Sequence, residues 1–81
     1  MDRQKYLTMC QKASFKQTMS GAWWRTKWNN DELVMYQGMK CVPVDYRFGF
    51  LAGEPSHVAI IHDLKANTEY NVPLKNLEEI K

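Results

Sequence analysis

The sequence predicts a mostly β (α+β) fold, a small SH3-like barrel of about five strands with an N-terminal helix. Residues 57–74 read as two strands joined by a polar turn, because apolar and polar side chains alternate along both halves. The apolar segments 33–36 and 39–50 flank Gln37-Gly38, a dipeptide that favours a tight hairpin turn. A helical turn at 74–77 and a brief strand at 79–80 complete the order of elements of an SH3-like barrel. A sheet covered by one helix is the alternative.

The first predicted element is a helix over residues 2–14. Asp2 is a favourable N-cap. Four side chains recur at the spacing of one helical face. They are Tyr6, Met9, Cys10 and Ala13. The segment 14–22 is polar and contains Gly21, so it is predicted to be irregular.

Residues 23–28, WWRTKW, fit either a strand or a helix, since periodicity does not separate the two in so short a run. As a strand, the segment places Trp23, Arg25 and Lys27 on one face. In either conformation a tryptophan lies on the same side as cations. Trp24 and Trp28 are expected to cap the barrel core.

The long predicted strand 39–50 contains Pro43, which lacks an N–H for the strand ladder. The strand is therefore expected to have an edge or a bulge at that position. Residues 51–56, LAGEPS, contain glycine and proline and are predicted to form a loop.

The length of the chain and the distribution of its charges indicate its domain organisation and the kind of partner it could bind. The chain has 81 residues and 44% hydrophobic residues, as expected for one compact domain. It divides into a basic, Trp-rich extension at 1–30 and a barrel at 31–81. The first part holds six basic residues against one acidic, a net charge of +5, and the second holds five against eight, a net charge of −3. Either the basic part meets a polyanion or an acidic protein surface, or the two parts attract each other within the fold.

The expected location is the cytoplasm. The sequence contains no apolar run of the roughly 18–20 residues that cross a bilayer, and its first residues lack the apolar region of a signal peptide. Cys10 and Cys41 lack metal-site or disulfide-framework spacing, so they are expected to be reduced, structural thiols. No membrane partner is expected, and the oligomeric state stays open.

Three segments within residues 33–80 carry a family resemblance: LVMYQGMKCVPV, HVAIIHDLKAN and VPLKNLEEI. They resemble a group of short proteins common in prophages and mobile elements of Gram-positive bacteria. The resemblance covers roughly the C-terminal 50 residues and carries no catalytic motif. It implies a phage-type accessory protein, a group that includes many inhibitors of host defence systems.

The sequence does not favour an enzyme. His57 and His62 are five positions apart, so they lie on opposite faces of a regular strand, and each is expected to be partly exposed. No GxSxG, Walker A or HExxH pattern is present. Cys10 and Cys41 are far apart, which does not fit the tight ligand pairs of zinc sites. We therefore expect no catalytic residues, no bound metal and no cofactor.

The predicted function is that of a non-enzymatic binding module that docks on a protein partner. In the context of the resemblance, the partner is a host nucleic-acid-directed defence enzyme and the effect is inhibition, as in anti-CRISPR proteins. The alternative is direct binding of single-stranded nucleic acid, which combines cations with stacked aromatic rings. The candidate binding residues are Trp23, Arg25 and Lys27 at the centre, Lys12 and Lys16 beside them, and Tyr46. Tyr46 belongs to a set of aromatic residues that could line a peptide groove, with at least half of the set in the core. The others are Tyr36, Phe48, Phe50 and Tyr70.

Overall fold

The computed structural model describes residues 1–22 and 25–80. Its helix and strands are α1 (Arg3–Ser20), β1 (Val34–Tyr36), β2 (Met39–Leu51), β3 (Glu54–Asp63), β4 (Thr68–Pro73) and β5 (Glu78–Glu79). The strands form one antiparallel sheet in the order β4-β3-β2-β1-β5. A 3₁₀ turn, Leu74–Asn76, leads from β4 to β5. This is a meander whose last strand returns to pair with its first, so the predicted SH3-like fold is confirmed.

Helix α1 begins as the sequence predicts and ends later. The Asp2 carboxylate accepts a hydrogen bond from the Lys5 N–H at 3.0 Å, which confirms the N-cap. The helix continues to Ser20, so the prediction of irregular structure over 14–22 is wrong for residues 14–20. The reason is that no strong helix breaker precedes Gly21, which adopts the left-handed conformation and donates its N–H to the Gln17 carbonyl. Within the described residues, no helix has the length and apolar character needed to cross a bilayer.

The predicted apolar face of α1 packs into the sheet. Tyr6, Met9 and Ala13 are buried and Cys10 is half-buried, as the helical spacing indicates. The Tyr6 ring is fully buried in the main core, and its hydroxyl donates to the Ile60 carbonyl at 2.8 Å. The other buried members of the main core come from α1, from strands β1 to β4 and from the turn before β5. They are Met9, Val34, Cys41, Ala59, Ile61, Val72, Leu74 and Leu77.

A second, smaller core holds the chain that follows α1. Ala13, Leu33 and Val42 form it, and Trp28 packs against them. This confirms that Trp28 caps the core, whereas Trp24 lies outside the described residues. Residues 26–29 have no regular structure, so neither a strand nor a helix forms there. Tertiary contacts place this segment instead, since Thr26 is buried and its hydroxyl donates to the Ala22 carbonyl at 2.9 Å.

Two features of β2 bear on the functional site. The register with β3 shifts between Pro43 and Asp45, which confirms the predicted bulge. The predicted loop at 51–56 is wrong, because β2 and β3 stay paired as far as Leu51 and Glu54. Only Ala52 and Gly53 form the turn, with φ angles of 52° and 83°. Positive φ at both central positions is the signature of a type I′ turn, whose twist matches that of the paired strands.

The turn provides a test of this local structure. We expect Ala52→Asn to raise the free energy of unfolding by about 0.5–1 kcal/mol, because asparagine adopts the left-handed conformation more readily than alanine. Ala52→Val should lower it, since a β-branched side chain is strained there. Guanidinium denaturation followed by tryptophan fluorescence measures both. A less stable Ala52→Asn variant would contradict the turn type.

Candidate functional site

The β2–β3 hairpin extends beyond the rest of the sheet. β1 pairs only with the beginning of β2, at Met39–Cys41, and β4 pairs with β3 only as far as Val58. Residues 47–57 therefore form a two-stranded ribbon, called here the hairpin arm. The arm begins where β4 ends, at Pro73 opposite Val58, and the tight turn at Ala52 and Gly53 forms its tip. Side chains of the arm therefore lack the flanking side chains that neighbouring strands provide elsewhere in the sheet.

One face of the arm is aromatic. Alternation and register place Phe48, Phe50 and His57 on it, with Phe48 opposite His57, and Tyr46 continues the same face at the base of the arm. These four residues are called the aromatic face. Phe48 is 64% exposed and Phe50 71% exposed. Contiguous exposed apolar side chains are typical of interaction surfaces.

The aromatic face is held in place at its base. The Tyr46 side chain is half-buried against the main core, and its hydroxyl forms a short hydrogen bond with Nδ1 of His57. The His57 ring stacks on Tyr46 at 5.8 Å between centroids and meets Phe48 edge-on at 5.3 Å. The core therefore orients Tyr46, which orients His57 and Phe48 in turn. A surface ordered before binding loses less conformational entropy when a partner covers it.

The five aromatic residues proposed for a peptide groove divide between core and surface. Tyr36 and Tyr70 pack against the main core, with ring centroids 6.4 Å apart, as Tyr46 does. Only Phe48 and Phe50 are strongly exposed. In the sequence, Phe48 and Phe50 alternate along the strand that leads to Ala52-Gly53. The predicted loop at 51–56 hides the hairpin turn that leaves them exposed.

The structure places the predicted basic segment only in part. Arg25 and Lys27 are exposed and lie in the chain segment between α1 and Trp28. Trp23, the residue on which a shared stacking face depends, lies outside the described residues. Lys12 is exposed on α1. Arg25, Lys27 and Lys12 form no ion pair with the described residues.

Lys16 is engaged within the fold. Its Nζ lies 2.6 Å from Oε1 of Glu32 and 5.3 Å from the centroid of the Trp28 ring. Burial acts to raise the pKa of Glu32, but hydrogen bonds from Lys16 and the Asn29 N–H outweigh it, so that pKa is lowered. Lys5 likewise pairs with Glu79. Each of these two contacts pairs a cation of residues 1–30 with a carboxylate of residues 31–81. They support the explanation that the basic and acidic parts attract each other within the fold.

The second histidine and its neighbour serve the β3–β4 turn. His62 is buried, so the prediction of partial exposure is wrong for this residue. His57 is exposed. His62 lies opposite the buried Val42 in the sheet, and its Nε2 is 3.1 Å from Oδ1 of Asn67. The buried Asp63 accepts a hydrogen bond from the Lys65 N–H at 3.0 Å. Both side chains thus order the turn.

Both cysteines are free thiols. Burial raises the pKa of Cys10 to about 11; a hydrogen bond with Tyr6 opposes this effect and the nearby Asp45 carboxylate adds to it. Burial and Asp63 raise the pKa of Cys41 to about 11. At neutral pH both thiols are therefore protonated and weakly nucleophilic. Across residues 1–22 and 25–80, no group of three or more His, Cys, Asp or Glu side chains could hold a metal ion.

Comparison of the chain with family models, with curated proteins and with solved structures finds no match. The aromatic face is therefore the candidate functional site.

Proposed function

We propose that this protein is a non-catalytic binding module that docks on a protein partner through the aromatic face. The observation that carries the proposal is the exposure of Phe48 and Phe50 on an arm that the core orders through Tyr46 and His57. Aromatic side chains are enriched in protein interfaces, and a few of them supply most of the binding free energy. Burial of one phenylalanine side chain contributes about 1.5–3 kcal/mol.

Three observations support the non-catalytic part of this proposal. The thiols of Cys10 and Cys41 are protonated at neutral pH, and His62 and Asp63 are engaged in a turn. His57 bonds to Tyr46, a phenol, rather than to a carboxylate that would orient it as a general base.

A finer proposal comes from the resemblance of residues 33–80 to phage and mobile-element proteins. The partner is then a host defence enzyme that acts on nucleic acid, and docking blocks its substrate site. An arm with exposed phenylalanines is suited to insertion into a pre-formed apolar pocket of such an enzyme.

The second candidate function is direct binding of single-stranded nucleic acid. The exposed cations Lys12, Arg25 and Lys27 favour it, since they form no ion pair with the described residues. Binding of this kind weakens steeply with salt because phosphate contacts release counterions.

The test uses two matched double variants on the full chain. Phe48→Thr with Phe50→Thr keeps strand propensity and removes the exposed rings. Phe15→Thr with Met19→Thr removes two equally exposed apolar side chains from α1, which are 70% and 75% exposed. After capture and purification of the partner, we expect the hairpin variant to weaken its Kd on the order of 100-fold and the helix variant to change it less than threefold.

Nuclease treatment separates the two candidate functions. Retention of the partner after treatment supports protein docking. Loss of the partner on treatment, together with weaker capture by Arg25→Glu with Lys27→Glu, would reject docking in favour of nucleic-acid binding. Equal loss of affinity in the hairpin and helix variants would also reject the aromatic face as the site.

A further inference from the structure

A cleft of roughly 500 Å³ lies beside the aromatic face. It opens between the start of α1, the β3 strand of the hairpin arm and the turn Leu74–Asn76. The buried Leu74 and the exposed Pro55 form part of its wall, and His57 belongs both to the cleft and to the aromatic face. A partner that covers the arm would therefore also cover the mouth of this cleft.

The charges that line the cleft have one sign. Arg3 and Lys75 are exposed at its lining, and none of the described lining residues is an aspartate or a glutamate. Among the described residues, neither cation forms an ion pair. The nearby Asp2 caps α1 through the Lys5 N–H, and Glu79 pairs with Lys5.

Hydrogen-bond donors accompany these charges. The Ser56 hydroxyl lines the cleft and contacts the carbonyl of His57 at a long distance of 3.3 Å, so a better acceptor can readily replace that contact. The Arg3 guanidinium offers a planar pair of N–H groups that suits a carboxylate. One of the two cations, Lys75, belongs to the acidic part of the chain, 31–81, so the local positive charge does not simply follow the composition.

We propose that the cleft receives aspartate or glutamate side chains of the protein partner, next to the apolar surface that covers Phe48 and Phe50. This inference rests on the proposed function and names the chemistry of its partner. A carboxylate fits better than a nucleic-acid strand, because a strand needs a succession of cations along its phosphates and the cleft has two cationic side chains. The Met1 ammonium also lines the cleft, but it donates to the Leu74 and Leu77 carbonyls. The interface then combines an apolar centre with a charged rim that sets orientation and association rate.

The first experiment needs no partner. A ten-residue polyglutamate peptide is titrated into the full chain, and amide chemical shifts report where it binds. We expect shifts centred on Ser56, His57 and Lys75, and a Kd on the order of tenfold weaker in Arg3→Glu with Lys75→Glu. The matched control is Arg25→Glu with Lys27→Glu, which reverses one arginine and one lysine elsewhere and should change the Kd less than twofold. Glutamate in the first turn of α1 is compatible with the helix dipole, so the cleft variant should stay folded.

Three results would overturn the inference. They are shifts centred elsewhere or absent, equal weakening in the control variant, and tighter cleft binding by a ten-nucleotide oligothymidylate than by polyglutamate. The proposed function fails separately. If the partner still requires Phe48 and Phe50 while the cleft binds no acidic peptide, only this inference is rejected. If the cleft binds the peptide while the hairpin variant binds the partner normally, only the aromatic docking site is rejected.

Discussion

Replacement of Tyr6 with alanine is expected to lower the free energy of unfolding by about 3–5 kcal/mol. The ring is fully buried where α1 closes over the sheet, and its hydroxyl donates to the Ile60 carbonyl of β3. The variant loses both the apolar contacts and the hydrogen bond, and it leaves a cavity that the sheet cannot fill. Since small domains are stable by only about 5–15 kcal/mol, this loss removes a large share of the total.

Two further variants separate the causes. Tyr6→Phe retains the ring and loses only the hydroxyl, with its hydrogen bonds to the Ile60 carbonyl and to Cys10, so a loss of about 1–2 kcal/mol is expected. Phe15→Ala truncates an aromatic side chain of the same helix that is 70% exposed, and it should change stability by less than about 0.5 kcal/mol. Guanidinium denaturation followed by tryptophan fluorescence measures all three. A loss below about 1 kcal/mol for Tyr6→Ala would show that α1 does not complete the core.

Alkaline pH is expected to destabilise the fold through its buried thiols. Burial raises the pKa of Cys10 and of Cys41 from the ordinary thiol value near 9 to about 11. A group whose pKa is higher in the folded than in the unfolded state stabilises the fold while it is protonated. That stability is complete below pH ~9 and is lost as pH rises to about 11. The expected loss is about 1–2 kcal/mol for each thiol after allowance for solvent screening.

The measurement is the free energy of unfolding at pH 7, 9, 10 and 11. Burial also raises the pKa of Tyr6 far above its ordinary value, so its phenol should extend the loss to still higher pH. Cys10→Ala with Cys41→Ala removes both thiols, and the double variant should show a flatter pH profile between pH 9 and 11. An unchanged slope in the double variant would assign the loss to other groups, and a flat profile in the original chain would contradict the prediction.

The locally encoded features were predictable from the sequence. The N-cap at Asp2, the tight turn at Gln37-Gly38 and the bulge near Pro43 each depend on one residue type and its immediate neighbours. The buried face of α1 and the alternation in β3 and β4 follow from periodicity, which persists whatever the chain packs against. These features suffice for the SH3-like strand order.

The candidate site was predictable only in part. Alternation places Phe48 and Phe50 on the same face of β2 as Tyr46, but it does not show whether the side chains of a neighbouring strand flank them. Exposure depends on where β4 ends, at Pro73 opposite Val58, and on a two-residue turn whose alanine adopts a left-handed conformation. Lys16 was a candidate binding residue by charge, and its contact with Glu32 is a tertiary one.

By itself, the sequence determined which segments become strands, which faces are apolar and where the helix begins, because those properties depend on neighbouring residues. Only the tertiary structure decided which apolar side chains stay exposed and which charges remain available. The cleft shows why: it joins Arg3, His57 and Lys75, which are distant along the chain and meet only when α1 docks on the sheet and β4 turns toward β5. Binding surfaces depend on such long-range proximity, which no local pattern records.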